Sequence, residues 1–273
     1  MENKTYRILK SKTLNVTNKK FYLHSHEFYE MLLFIQGDSS YIIEGNTYKL
    51  NPYDLIIQRK NEMHRVYHNN PSTYERIILW IQPDFFDVFN CRELEEEFLK
   101  KTNGTMNKID AQLCVSSGIY DAFMRLQKYS NNFKDIYSPV ASATIIEILH
   151  LINNARLYSN DGNPDNTLKS VIAYINNHYT ENISLDEIAE HFYITKHHLC
   201  RIFKKGTGIT VYNYITNKRL MRVKELKEEG MGNGEAALLA GFGNYSSYYR
   251  AFQKIYGCAP SNKITDNMDI IPN

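Results

Sequence analysis

No long hydrophobic run occurs in this chain of 273 residues. The longest, Met31 to Ile35 and Ile145 to Ile152, fall far short of the ~20 apolar residues that a bilayer-crossing helix needs, and Glu147 breaks the second. A membrane partner is not expected. The opening residues, Met-Glu-Asn-Lys-Thr-Tyr-Arg, lack an apolar stretch before a small-residue cleavage site, so the expectation is no secretory leader and a cytoplasmic location. Cysteine is sparse and scattered. Cys91, Cys114, Cys200 and Cys258 form no CxxC pair, which argues against a zinc site or a disulfide framework and for reduced, mostly buried thiols. Missing too are the Ser-His-Asp, phosphate-loop and dinucleotide-fold patterns, so those enzyme classes find no support.

The chain does have room for about two domains and an ordinary globular balance, 43% hydrophobic and 23% charged. Its charge is uneven. Residues 1–166 hold 19 Lys and Arg against 20 Asp and Glu, whereas residues 167–273 hold 13 against 10. Within 196–227 the basic residues are Lys196, Arg201, Lys204, Lys205, Lys218, Arg219, Arg222, Lys224 and Lys227, opposed by Glu225 alone. A polyanion would meet that concentration first.

From Phe21 to Trp80 short apolar bursts are separated by turn signals at Gly37-Asp38, Gly45-Asn46, Asn51-Pro52 and Asn69-Asn70-Pro71, the spacing of strands in a sandwich or barrel. Ser40–Glu44, Thr47–Leu50 and Ile77–Ile81 are rich in β-branched and aromatic residues. After Pro83 the period changes. Phe85 to Phe89, Leu94 with Phe98, and Ile119, Phe123, Leu126 and Tyr129 step at helical intervals. Pro139 to Leu157 carries Val140, Ala143, Ile146, Leu149 and Ile152 at steps of three, an arc wide enough to suggest either a well-buried helix or one whose face packs on a second subunit. Residues 159–166 read as a polar linker with a Gly and a Pro.

Beyond the linker, two helix, turn, helix patterns lie at 184–205 and 234–256. In the first, Ser184 with Glu187 forms a capping box, and Thr195 caps a second helix. Leu185, Ile188, Ala189, Phe192, Leu199, Ile202 and Phe203 are expected inward, which leaves Lys196, His197, Cys200, Arg201 and Lys204 outward. A helix of this kind fits the DNA major groove, where Arg can contact guanine in a bidentate manner while Lys holds phosphates. In the second, Gly241 permits the turn, Asn244 caps, Tyr248, Phe252 and Ile255 pack inward, and Tyr245, Ser246, Tyr249 and Arg250 face out. Val211 to Glu229 between them reads as one long helix that would space the two reading heads along one DNA face.

Residues 168–260 resemble the DNA-binding domain of the AraC/XylS family of bacterial transcription regulators, through Leu185-x-x-Ile188-Ala189, Leu199-x-Arg201-x-Phe203-Lys204-Lys205, Gly208, Tyr214, Arg219-Leu220, Gly241-Phe242, Tyr248, Phe252 and Gly257-x-x-Pro260. The resemblance implies that bases are read by His197, Cys200 and Arg201 in the first unit and by Tyr245, Ser246, Tyr249 and Arg250 in the second. It also implies double-stranded DNA, RNA polymerase and a second copy of the chain as partners. Three departures stand out: Lys227 replaces an aliphatic, Asn233 sits near an apolar position, and Asn262-Lys263 stand where an aromatic-basic pair is usual. The loop Glu229 to Gly234 is Gly-rich, so the helix after it is expected to be loosely held.

Nearer the N-terminus, His24-x-His26-x-x-x-Glu30 with Gly37 resembles the first cupin motif, and Asn51-Pro52-x-Asp54 followed by His64 a degenerate second one. Imidazoles two apart on a strand share a face, and with a carboxylate they suit a divalent transition ion. Sugar-sensing members of the regulator family resemble this with a metal-free barrel, and the second motif lacks its Gly before His, so no metal and no other cofactor is expected. The favoured ligand is a small effector, a sugar or another metabolite, lined by His24, His26, Glu30, Tyr41, His64 and Trp80.

The resulting expectation is an α+β chain of two domains. Residues 1–158 form a cupin-like or jelly-roll-like β-barrel followed by helices, for effector binding and dimerisation; 159–166 are linker; 167–265 are an all-α domain with two helix-turn-helix units; 266–273 are a tail. The function expected is a sequence-specific, effector-responsive regulator, an activator and not an enzyme. The alternatives are a metal-dependent cupin enzyme with a DNA-binding tail and a regulator whose barrel is only a dimerisation scaffold.

Overall fold

The computed structural model describes residues 5–17, 23–99, 104–132, 139–156, 166–256 and 258–260. Phe21, the linker up to Asp165, the Asn262-Lys263 departure and the 266–273 tail lie outside these residues. The chain divides into two compact units at Asn163–Pro164.

The first unit begins with β1 (Tyr6–Thr13), β2 (Tyr29–Gln36), β3 (Ser39–Ile43), β4 (Asn46–Lys49), β5 (Leu55–Gln58), β6 (His64–His68) and β7 (Tyr74–Ile81). Helices α1 (Phe85–Val88) and α2 (Arg92–Leu99) lead to β8 (Lys108–Ile109), then to α3 (Ala111–Ser116), α4 (Ile119–Asn132) and α5 (Pro139–Arg156). One sheet has the order β1-β7-β2-β5-β8 and the other β4-β3-β6, every pair antiparallel.

The larger sheet is buried on both faces along its central strands, which explains why β2 and β7 carry the apolar runs Met31–Ile35 and Ile77–Ile81 instead of alternating. Tyr29, Met31, Leu33, Ile77, Leu79 and Ile81 join the core with the helices, while Leu32, Phe34, Ile78 and Trp80 face Tyr41, Ile43 and Val66 of the smaller sheet. At about 1.5–3 kcal/mol for each large apolar side chain removed from water, these two layers supply most of the unit's stability.

Helix α5 corrects part of the dimerisation expectation. Leu149 and Ile152 are fully buried in the unit's own core with Ile145 and Ile148, so they cannot meet a second subunit. The helical arc is wide because α5 packs on both α4 and α2 within one core. Val140 and Ala143 are exposed and Ile146 is half-buried, while the exposed Glu147 is paired with Arg125 at 2.7 Å.

The second unit is helical: α6 (Asn166–His178), α7 (Leu185–His191), α8 (Lys196–Thr207), α9 (Val211–Glu228), α10 (Asn233–Leu239) and α11 (Tyr245–Tyr256). Helix α9 buries Leu220, Val223 and Leu226 against Ala236, Ala237 and Ala240 next to α10 and Tyr248 and Phe252 of α11. Alanines at these positions let the helices approach closely.

Candidate DNA-reading helices and a polar cluster between the sheets

Each helix-turn-helix starts from its caps. Ser184 and Glu187 close a reciprocal capping box on α7, and the Thr195 hydroxyl accepts from the His198 amide at 3.1 Å to start α8. Asn244 does the same for α11, its side chain accepting from the Ser247 amide at 2.8 Å. Gly208, left-handed at φ 81°, ends α8.

The two turns share a left-handed residue, Tyr193 at φ 54° and Gly241 at φ 93°. A Cβ on Gly241 would stand 2.5 Å from the Thr180 carbonyl oxygen, so only glycine fits there. Tyr193 has no such neighbour and is 97% exposed at the tip of the first unit.

Leu199 and Phe203 of α8 are buried, as is Ile188 of α7, and His197, Arg201 and Lys204 are exposed with Cys200 half-buried beside them. Lys196 is exposed and paired with Asp186 at 2.8 Å. On α11, Tyr248 and Phe252 are buried, Tyr245, Ser246 and Arg250 are exposed and Tyr249 is half-buried. Ile255, expected inward, shares the stripe of Tyr248 and Phe252 but lies in the last turn of α11 and is 42% exposed.

The basic stretch of 196–227 is not a single patch. Arg219 donates to the Tyr179 and Glu181 carbonyls at 2.6 and 2.8 Å, and Arg222 pairs with Glu225 at 2.9 Å. Lys218 is buried, and Lys227 reaches the Pro260 carbonyl at 3.3 Å. That contact gives the unusual lysine a structural partner. Exposed positive charge is thereby concentrated on α8, at Arg201, Lys204 and Lys205. Helix α10 has no side-chain cap at Gly232, and the Asn233 side-chain oxygen is buried without a hydrogen bond.

In the first unit the residues named from sequence converge. Glu30 on β2 lies directly across from Trp80 on β7 and Gln58 on β5, so all three project from the same sheet face. Trp80 donates its indole N–H to Glu30 Oε2 at 2.7 Å, and the Tyr41 hydroxyl donates to Oε1 at 3.4 Å. His26 Nε2 is 3.3 Å from Glu30 Oε2. His24 pairs its backbone with His64 across an isolated bridge, which brings their tilted rings to 4.4 Å between centroids, with His26 edge-on at 4.8 Å from His64.

Burial would raise the Glu30 carboxyl, but the adjacent imidazole of His26, with His64 and His24 behind it, holds it down to about 2. Burial, reinforced by His24 and His26, keeps the His64 imidazole well below its ordinary value, hence neutral. Gln58 was not foreseen. It is fully buried and both of its amide atoms lack hydrogen-bond partners. A glutamine at the end of an apolar strand carries no signal until the register sets it beside Glu30.

Residues 188–264 match a helix-turn-helix domain family, and residues 13–103 match the AraC-like ligand binding domain family. Among curated proteins, the chain is 21% identical over 242 residues to the HTH-type transcriptional activator RhaS of Salmonella schwarzengrund, covering 87% of this chain and 85% of that one. It is 22% identical over 236 residues to the uncharacterized HTH-type transcriptional regulator YbfI of Bacillus subtilis, covering 84% and 81%. A ToxT structure from Vibrio cholerae superimposes with a TM-score of 0.42 at 14% identity, covering 94% of this chain and 97% of that chain.

Proposed function

This chain belongs to the AraC family of transcription regulators, and from that premise we propose that α8 and α11 read DNA while the polar cluster between the sheets receives a small-molecule effector. One observation carries the DNA reading: in both helix-turn-helix units the second helix buries its apolar stripe and turns its donors to solvent. His197, Cys200 and Arg201 on α8, and Tyr245, Ser246, Tyr249 and Arg250 on α11, are the base-reading set; Lys196 and Lys204 hold phosphates.

His24, His26, Glu30, Tyr41, His64 and Trp80, with Gln58 added, form the effector site, and a sugar or another polar metabolite suits its donors and acceptors. The effector acts by preferring one arrangement of the chain over another. No enzymatic turnover is assigned to the cluster. Two copies act together, with Val140 and Ala143 the α5 residues left available to a partner, and the DNA-bound form activates by recruiting RNA polymerase, in keeping with the activator relatives.

Arg201→Ala is expected to relax preference at one base pair by ~1–3 kcal/mol, whereas Lys204→Ala weakens all sequences alike and lowers the salt dependence by about one phosphate contact. Binding-site selection on both variants checks this. An unchanged preference in the Arg201 variant contradicts the assignment.

A further inference from the structure

Hydrogen bonding fixes two of the three histidines in one tautomer. His26 Nδ1 lies 2.9 Å from the Phe28 carbonyl oxygen and His64 Nδ1 lies 2.8 Å from that of Glu62. A carbonyl only accepts, so each Nδ1 carries a proton, and in the neutral ring the lone pair sits on Nε2. Both Nε2 atoms are buried without a hydrogen bond. His26 Nε2 moreover faces a carboxylate oxygen of Glu30 at 3.3 Å, acceptor against acceptor unless a cation or a proton stands between. His24 brings a third imidazole, and one ligand nitrogen from each ring lies within 4.8 Å of the others. Among the described residues no other group of three such side chains forms a candidate ion site.

We propose that His24, His26 and His64 bind a divalent transition-metal ion. Backbone carbonyls holding the far nitrogens of metal-bound histidines are the usual support that orients the rings and raises their basicity. Nitrogens bound to a four-coordinate ion at ~2.0–2.1 Å stand roughly 3.4 Å apart, so ring rotations of about an ångström close the present geometry. Glu30 is not a ligand in this arrangement. Its oxygens already accept from Trp80 and Tyr41, and its negative charge offsets the ion's across His26. Three neutral imidazoles suit zinc, iron, nickel or copper over calcium or magnesium. Three protein ligands leave a four-coordinate ion one position open. This deepens the effector reading above and rests on it only for what the ion does to DNA binding.

The test uses the full chain, stripped with a chelator and titrated calorimetrically with zinc chloride and, separately, cobalt chloride. One equivalent per chain is expected, with intense visible cobalt absorption of low coordination number and a rise in melting temperature. His24→Gln and His26→Gln are the main variants, because His24 is exposed and neither change removes a fully buried ring. Each is expected to weaken binding at least tenfold, and both together to abolish the stoichiometric site, with circular dichroism unchanged. Glu30→Gln, which leaves all three ligands, is expected to keep stoichiometry with weaker affinity. No binding by the stripped wild type, or binding unaltered in the double variant, overturns the proposal. Such a result leaves the effector reading intact, since metabolite titration of the stripped protein tests that on its own.

Discussion

The side chains that chemistry would single out were mostly visible in the sequence, because histidine, tryptophan and glutamate between apolar runs are conspicuous. His24, His26, Glu30, Tyr41, His64 and Trp80 meet within one cluster. Gln58 escaped notice because its meaning depends on which strand lies beside β5. Another buried histidine is distinctive for its acid response. His68 on β6 bonds Ser39 Oγ at 2.8 Å and packs on Tyr74, and burial, with the charge of Arg76 behind it, pushes its imidazole down to about 4. In the unfolded chain the ring takes its proton near 6.5. The unfolded state thus binds more protons between those values, so this contribution is complete above about pH 6.5 and lost as pH falls toward 4. His68→Gln is expected to reduce the loss of unfolding free energy between about pH 6.5 and 4.5 by on the order of 2 kcal/mol. Urea titrations at both pH values measure it, and an unaltered pH dependence would speak against the role.

At the scale of elements, caps proved the most readable signals, since Ser184, Thr195 and Asn244 each start a helix with local atoms alone. Periodicity was less reliable wherever an element is covered on more than one side. Helix α5 showed a broad apolar arc that sequence divides equally between core and partner, and only packing puts Leu149 and Ile152 inside. Strand β1 falls within the part expected to be mostly β but precedes the first strand signals, because its half-buried residues mix Lys with Ile and Leu. The paired turns offer a contrast that composition hides. Gly241→Ala is expected to cost at least ~2 kcal/mol, from the left-handed backbone and the collision with Thr180. Tyr193→Gly at the corresponding place should gain up to ~1 kcal/mol, because it relieves a left-handed tyrosine that packs on nothing close. Opposite signs in denaturant unfolding are the check; equal effects would mean that the two turns are not equivalent.

The whole molecule joins a two-sheet unit to a helical one, and the class of each was legible from the switch from strand to helix periods near Pro83 and from the polar 159–166 stretch with the paired helical patterns beyond it. What composition suggested least well was the distribution of charge, since local partners absorb Arg219, Arg222 and Lys227 and leave α8 as the exposed basic helix. A fragment beginning at Pro164 is expected to fold and to bind DNA with a steep salt dependence, yet to give the same affinity with and without a metabolite that alters binding by the full chain. Gel retardation of both proteins settles this, and a fragment that still responds would move the sensor into the helical unit. Trp80 is the chain's sole tryptophan against 21 tyrosines. Because its indole N–H rests on Glu30, selective excitation of that one ring turns the protein into its own spectroscopic probe: any arriving molecule that draws the carboxylate away must change the emission colour, with no dye attached.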